Sequence, residues 1–180
     1  MRDLLTLLTD EETLNLPTNC VITKAYFDTQ GTDETVFHGV EYKGNHISVC
    51  MSNTSGTLWV NLLQLTRPLQ IRENPKVDDS LKRISFTKDE IIQFVEDVND
   101  RNRIHREVPY VVPGLLILEH LWKHMLNSNA TLGMSIRFLS PMLANDCVFI
   151  ERQREGNVLV GKLDDMILFK ARLHDEHRTN

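Results

Sequence analysis

The chain has 180 residues, 41% of them hydrophobic and 25% charged. That composition suits a globular protein with a full core and excludes disordered, collagen-like and coiled-coil classes. Twenty basic against twenty-five acidic side chains give a net charge of −5. This argues against a general nucleic-acid binder but leaves room for a small local basic pocket.

The N-terminal residues open with a short amphipathic stretch, Leu4 to Leu14. Its apolar run is too short for a signal peptide, and no small-residue cleavage site follows. Four strands are expected next: Cys20 to Phe27, Val36 to Tyr42, His46 to Met51 and Thr57 to Leu62. Gly31, Gly44 and Gly56 mark the turns. The polar segment Arg72 to Arg83, with Pro75, is the expected boundary between a β-rich region, residues 1–80, and a second domain, residues 81–180. The three cysteines, Cys20, Cys50 and Cys147, form no CxxC pair, and reduced thiols in a cytoplasmic protein are expected. The longest apolar stretch, Val108 to Leu118, is interrupted by prolines and a glycine and is far short of a membrane span.

In the C-terminal part a short strand, Arg83 to Phe86, precedes a capping box. Thr87 caps a helix from about Lys88 to Val98, and Glu90 returns to it. A polar stretch, Asn99 to Glu107, follows. Pro113-Gly114 then opens a second helix, Leu115 to about Leu126, whose apolar residues cover most of its circumference. Such a helix is mostly buried. Strands follow at Leu132 to Phe138, Cys147 to Arg152, Val158 to Leu163 and Met166 to Leu173. A buried helix wrapped by an antiparallel sheet is the expected α+β arrangement.

Asp100, Asn102 and His105 fall within this polar stretch. On a continuous helix Asp100 and His105 would lie on different faces, so they converge only if the chain turns between them, and Asn102 is a good turn former. A carboxylate and an imidazole together form a proton-transfer pair suited to neutral pH. Gly114, at a helix start, combines unpaired amides with room for a close ligand carbonyl, which makes an oxyanion or carbonyl-polarising site.

The stretch Asn99 to His105, NDRNRIH, resembles the hydratase motif of MaoC-like enoyl-thioester hydratases and dehydratases, which are hotdog-fold proteins. Phe86-Thr87, Val112-Pro113-Gly114 and Arg137-Phe138-Leu139-Ser140-Pro141 with Asp146 resemble the family's other features in the same order. The resemblance covers about residues 84–173. It implies a hotdog domain at 81–180, with residues 1–80 a degenerate hotdog or an added module. It implies that Asp100 and His105 activate the water that adds to a trans-2-enoyl thioester, or reverse that step. Asn102 would order the loop, and the Gly114 amide would polarise the thioester carbonyl. No metal or cofactor would be needed, coenzyme A or an acyl carrier protein entering only as substrate carrier. The site would lie at a dimer interface, in a homodimer or in a heteromer with another hotdog chain. The chain departs from the family at Asn99, Arg103, Pro113 and Asn145, the first and last standing where the family has glycine.

Around this centre Arg101, Arg103 and Arg106 form a basic cluster that could meet coenzyme A phosphates or an acidic carrier protein. Trp122 is expected in the core or lining an acyl tunnel, and Trp59 in the core. His120 and His124 have a metal-compatible spacing without an evident third ligand. Glu119 could serve a thioesterase as base or nucleophile, against an ordinary ion pair with Lys123. A non-catalytic module that binds acyl thioesters is the other alternative.

Overall fold

The computed structural model describes residues 2–9, 14, 16–68, 83–125, 131–153 and 156–175. Most of the expected boundary segment, Arg72 to Arg83, therefore lies outside the described residues. Among the described residues three helices, α1 (Arg2–Leu8), α2 (Lys88–Asp97) and α3 (Gly114–Met125), accompany nine strands. The strands are β1 (Cys20–Asp28), β2 (Val36–Lys43), β3 (His46–Asn53), β4 (Gly56–Gln64), β5 (Arg83–Ile84), β6 (Thr131–Phe138), β7 (Val148–Arg152), β8 (Val158–Leu163) and β9 (Met166–Asp175). All nine join one sheet in the order β2-β3-β4-β1-β6-β9-β8-β7-β5, and every described pairing is antiparallel.

Alternation builds the sheet's two faces. Along β1, Ala25 and Phe27 are buried while Lys24 is exposed. Along β4, Leu58, Val60 and Leu62 are buried while Trp59 and Asn61 face out. Trp59 is thus a correction to the expected core residue: it is 41% exposed, because its register places it on the outer face. The strand expected at Arg83 to Phe86 is only two residues long, since Phe86 already leads into the cap of α2.

The inner face carries the helices. Leu4, Leu5 and Leu8 of α1 are buried where that helix packs on β3. Leu115, Leu116, Ile117, Leu118 and Leu121 of α3 are buried against β1 and β6. The capping box at Thr87 and Glu90 is complete in both directions. The sheet therefore wraps a buried central helix, as expected. The seam between the N-terminal and C-terminal strands is the pairing of β1 with β6, in which Lys24 faces Arg137 and Tyr26 faces Ser135.

Candidate active site

The site grows from the end of α2. Asn99 has φ +53°, the left-handed region that asparagine tolerates better than most residues. The next amide, of Asp100, returns to Val95 O at 2.8 Å. The Asn102 amide then donates to Asp100 Oδ1 at 2.9 Å, which turns the chain. The Asn102 side chain caps a single 3-10 turn at Arg103–His105, accepting from the Ile104 amide at 3.5 Å. Its Nδ2 donates to Cys20 O at 2.5 Å, tying the loop to the start of β1.

This turn swings His105 back toward Asp100. The imidazole is 8% exposed, and Nδ1 lies 2.7 Å from Val111 O. A carbonyl can only accept, so Nδ1 carries the hydrogen and the Nε2 lone pair is left for other work. Burial pushes the His105 pKa below its usual value; Asp100 and the Val111 carbonyl oppose this more weakly, and Arg106 adds to it. The ring is therefore neutral near pH 7. Nε2 stands 3.8 Å from Asp100 Oδ2, too far for a direct hydrogen bond and close enough for one small molecule to reach both groups.

The carbonyl that orients His105 is itself braced. Val111 pairs with Leu143, the Val112 amide donates to Met142 O at 2.8 Å and the Ala144 amide to Tyr110 O at 2.9 Å. Asp146 is buried, and its Oδ2 accepts from the Leu143 amide at 2.6 Å. Asn145 beside it has φ +65°. Both positions where asparagine stands in place of the motif's glycine thus adopt a conformation natural to glycine.

Asp100, Asn102 and His105 line a cleft of about 360 Å³. Gly114 lines it too, as the first residue of α3, whose opening amides have no acceptor within the helix. A Cβ on Gly114 would stand 3.0 Å from Cε2 and Cζ of Phe138 and 3.4 Å from Ile22 Cβ, so any side chain here presses on the Phe138 ring. Leu16, Ile22 and Leu63 from the N-terminal region and Phe138 and Met142 from the C-terminal one complete a mostly apolar wall. These N-terminal residues and Val111 had no functional signal in the sequence. Strand pairing and a backbone carbonyl bring them in, and neither leaves a side-chain motif.

Of the basic cluster, Arg101 lines the cleft. Arg103 is engaged by Glu107 Oε1, from Nε at 3.0 Å and Nη2 at 2.8 Å, and lines a separate depression with Arg67 and Val108. Arg106 holds the Asp100 carbonyl from Nε at 3.0 Å and Nη2 at 2.7 Å. Trp122 packs edge-on against Phe27, centroids 4.9 Å apart, and is not part of the cleft lining. Glu119 is buried away from the cleft. It accepts from Arg2 Nε at 3.0 Å and Lys123 Nζ at 2.8 Å. Burial pushes its carboxyl pKa up, but these two cations outweigh that and hold it below the usual range. The rings of His120 and His124 lie 4.6 Å apart. Among the described residues no three His, Cys, Asp or Glu side chains gather as a metal site. No helix among the described residues is long and apolar enough to cross a membrane.

No family model matches the sequence, and no curated protein matches it either. Solved structures do. The chain superposes on HtdX from Mycobacterium tuberculosis with a TM-score of 0.65 at 12% identity, covering 96% of this chain and 84% of that one. Full-length peroxisomal multifunctional enzyme type 2 from Drosophila melanogaster matches with a TM-score of 0.55 at 12% identity, over 95% of this chain and 39% of that one. A MaoC-like dehydratase from Phytophthora capsici matches with a TM-score of 0.52 at 9% identity, over 92% of this chain and 72% of that one. The chain has the α+β hotdog fold, which it shares with these structures.

Proposed function

We propose that this chain is a hydratase or dehydratase of acyl thioesters, adding water across the C2–C3 double bond of a trans-2-enoyl thioester or removing it from the 3-hydroxyacyl product. The observation that carries the reading is the 3.8 Å gap between His105 Nε2 and Asp100 Oδ2 in the wall of a mostly apolar cleft. A neutral imidazole and a carboxylate both accept. A water between them donates one hydrogen to each and turns its lone pair toward the cleft. As its oxygen bonds to C3, the pair takes up one proton. Electrons move from the double bond toward the thioester carbonyl, where the Gly114 amide stabilises the developing enolate. The proton held by the pair then passes to C2, and the site is restored. Dehydration follows the same path backwards.

The apolar walls suit an acyl chain, and likeness in fold to a MaoC-like dehydratase supports the same reading. The N-terminal and C-terminal parts of the chain each supply a wall of the cleft. The thioesterase reading finds less support, because Glu119 is spent on Arg2 and Lys123 outside the cleft.

The test is the decay of the conjugated enoyl band of crotonyl-coenzyme A, wild type beside Asp100→Asn and His105→Ala. Hydration by wild type that drops at least about a hundredfold in both variants is expected. Thiol release without hydration, or binding without turnover across short, medium and long acyl chains, would overturn the assignment.

A further inference from the structure

Four cations meet on the outer face of the sheet although the chain as a whole is acidic. Lys24 of β1 lies opposite Arg137 of β6, and Arg137 lies opposite Lys170 of β9, so three positive side chains occupy one row across three adjacent strands. Arg172, two residues along β9, extends the group, and it faces Ser135. All four are exposed, and together they line a depression of about 290 Å³. Among the described residues none of the four side chains makes an ion pair or hydrogen bond, and the acid in the same row, Glu151, is held by Lys162. Like charges directly opposite one another in a sheet repel. An arrangement that gathers them without counter-charge is built for an anion.

The row stands beside the cleft. Lys24 directly follows Thr23, and Arg137 directly precedes Phe138; Thr23 and Phe138 both line the cleft. Alternation turns Phe138 toward the cleft and Arg137 to the outer face, so a ligand that reaches both passes round the end of the sheet, where β6 stops at Phe138. On the same outer face Tyr26, two residues from Lys24, lies opposite Trp59 on β4. Their rings are 5.0 Å apart, and the indole is 41% exposed. From Lys24 to Lys170 the row spans two strand spacings, about 10 Å. A concave site with several cations and an adjacent open aromatic face suits a phosphorylated nucleotide, its base on the ring and its phosphates on the cations. The acidic helix of a carrier protein would call for a broader, flatter basic surface.

We propose that Lys24, Arg137, Lys170 and Arg172 bind the phosphates of coenzyme A, with Trp59 as the platform for its adenine. This deepens the thioester reading above and rests on it for the choice of ligand. The basic group thus sits on strands β1, β6 and β9, while Arg103 and Arg106, close to the catalytic pair in sequence, are occupied by Glu107 and the Asp100 carbonyl.

Titration calorimetry with adenosine 3′,5′-bisphosphate tests this without any turnover. Wild type should bind it, more weakly as salt rises, and Lys24→Gln with Arg137→Gln should weaken it about tenfold or more. These side chains are exposed and mutually repelling, so the double variant should keep the wild-type Tm. Absence of binding, or equal binding by wild type and variant, overturns the proposal whatever becomes of the hydratase reading. In turnover, the double variant should raise KM for crotonyl-coenzyme A about tenfold more than KM for crotonyl-N-acetylcysteamine, which lacks the nucleotide. Hydration of both thioesters with no such split would leave the hydratase standing and the phosphate site refuted. A KM change confined to a carrier-protein thioester would assign the row to an acidic protein instead.

Discussion

Gly114→Ala sets two effects against each other at the mouth of α3. In favour of alanine is helix propensity, up to about 1 kcal/mol in a helix interior and less at a first position. Against it is the new Cβ, 3.0 Å from two ring carbons of Phe138 where about 3.5–4.0 Å is comfortable. Overpacking of this kind costs about 1–3 kcal/mol. The lower end applies, because Phe138 is only half-buried and its ring borders the open cleft. The two nearly offset, leaving a net loss of about 0–1 kcal/mol and a Tm within about 4 °C of wild type. Turnover should respond far more. The backbone N–H survives the substitution, but the methyl group stands beside it, and a carbonyl kept from one such donor costs up to about 10²–10³ in kcat. Calorimetry and enoyl-thioester hydration on one preparation separate the two. An unchanged kcat with an unchanged Tm would refute the close approach of the thioester carbonyl past Gly114. A Tm lower by 10 °C or more (about 3 kcal/mol) would mean that Phe138 cannot give way.

The buried, neutral His105 makes stability pH-dependent: the unfolded chain takes up its proton near pH 6.5, while the folded chain resists until its lowered pKa is reached. Stability should therefore fall as pH drops below about 7.5 and keep falling until the lowered folded-state pKa is reached, and urea unfolding of His105→Gln should show a shallower fall. Catalysis should hold over that range and fail only further into acid, below the lowered folded-state pKa, where protonated Nε2 no longer accepts from water. Gly161→Ala would place a Cβ 2.3 Å from Cε1 and Cζ of the fully buried Phe169. A loss of about 3 kcal/mol and a Tm drop of about 6–12 °C are expected, and a Tm within 2 °C would show that the ring can move. Glu119→Gln should cost about 1–2 kcal/mol by loosening the buried carboxylate from Arg2 and Lys123, both partly exposed and so partly screened. Turnover should persist in that variant; its loss would return Glu119 to the chemistry.

Local signals were readable wherever one short segment carries them. Alternation located the strands, the Thr87–Glu90 box located α2, and the near-continuous apolar run located α3. The Asp100–His105 pair was legible because a turn-forming Asn102 lies between two residues that a helix would have parted. What stayed hidden depends on which strand lies beside which. No local pattern tells that β1 pairs with β6, and from that pairing come one wall of the cleft and the meeting of Lys24 with Arg137. Trp59 was misjudged for the same reason: an aromatic in an apolar strand looks like core until register assigns its face. The anchor of His105 is a backbone carbonyl, which every residue offers and no sequence singles out.

The β1–β6 seam has a consequence for how such a cleft can diverge. In an assembly of two identical chains each substitution is made twice, once in each wall, and a change that helps one can harm the other. Here the wall bearing Ile22 and Leu63 and the wall bearing Asp100 and His105 are encoded separately along one chain. Acyl preference can drift in one while the proton-transfer pair stays unchanged in the other.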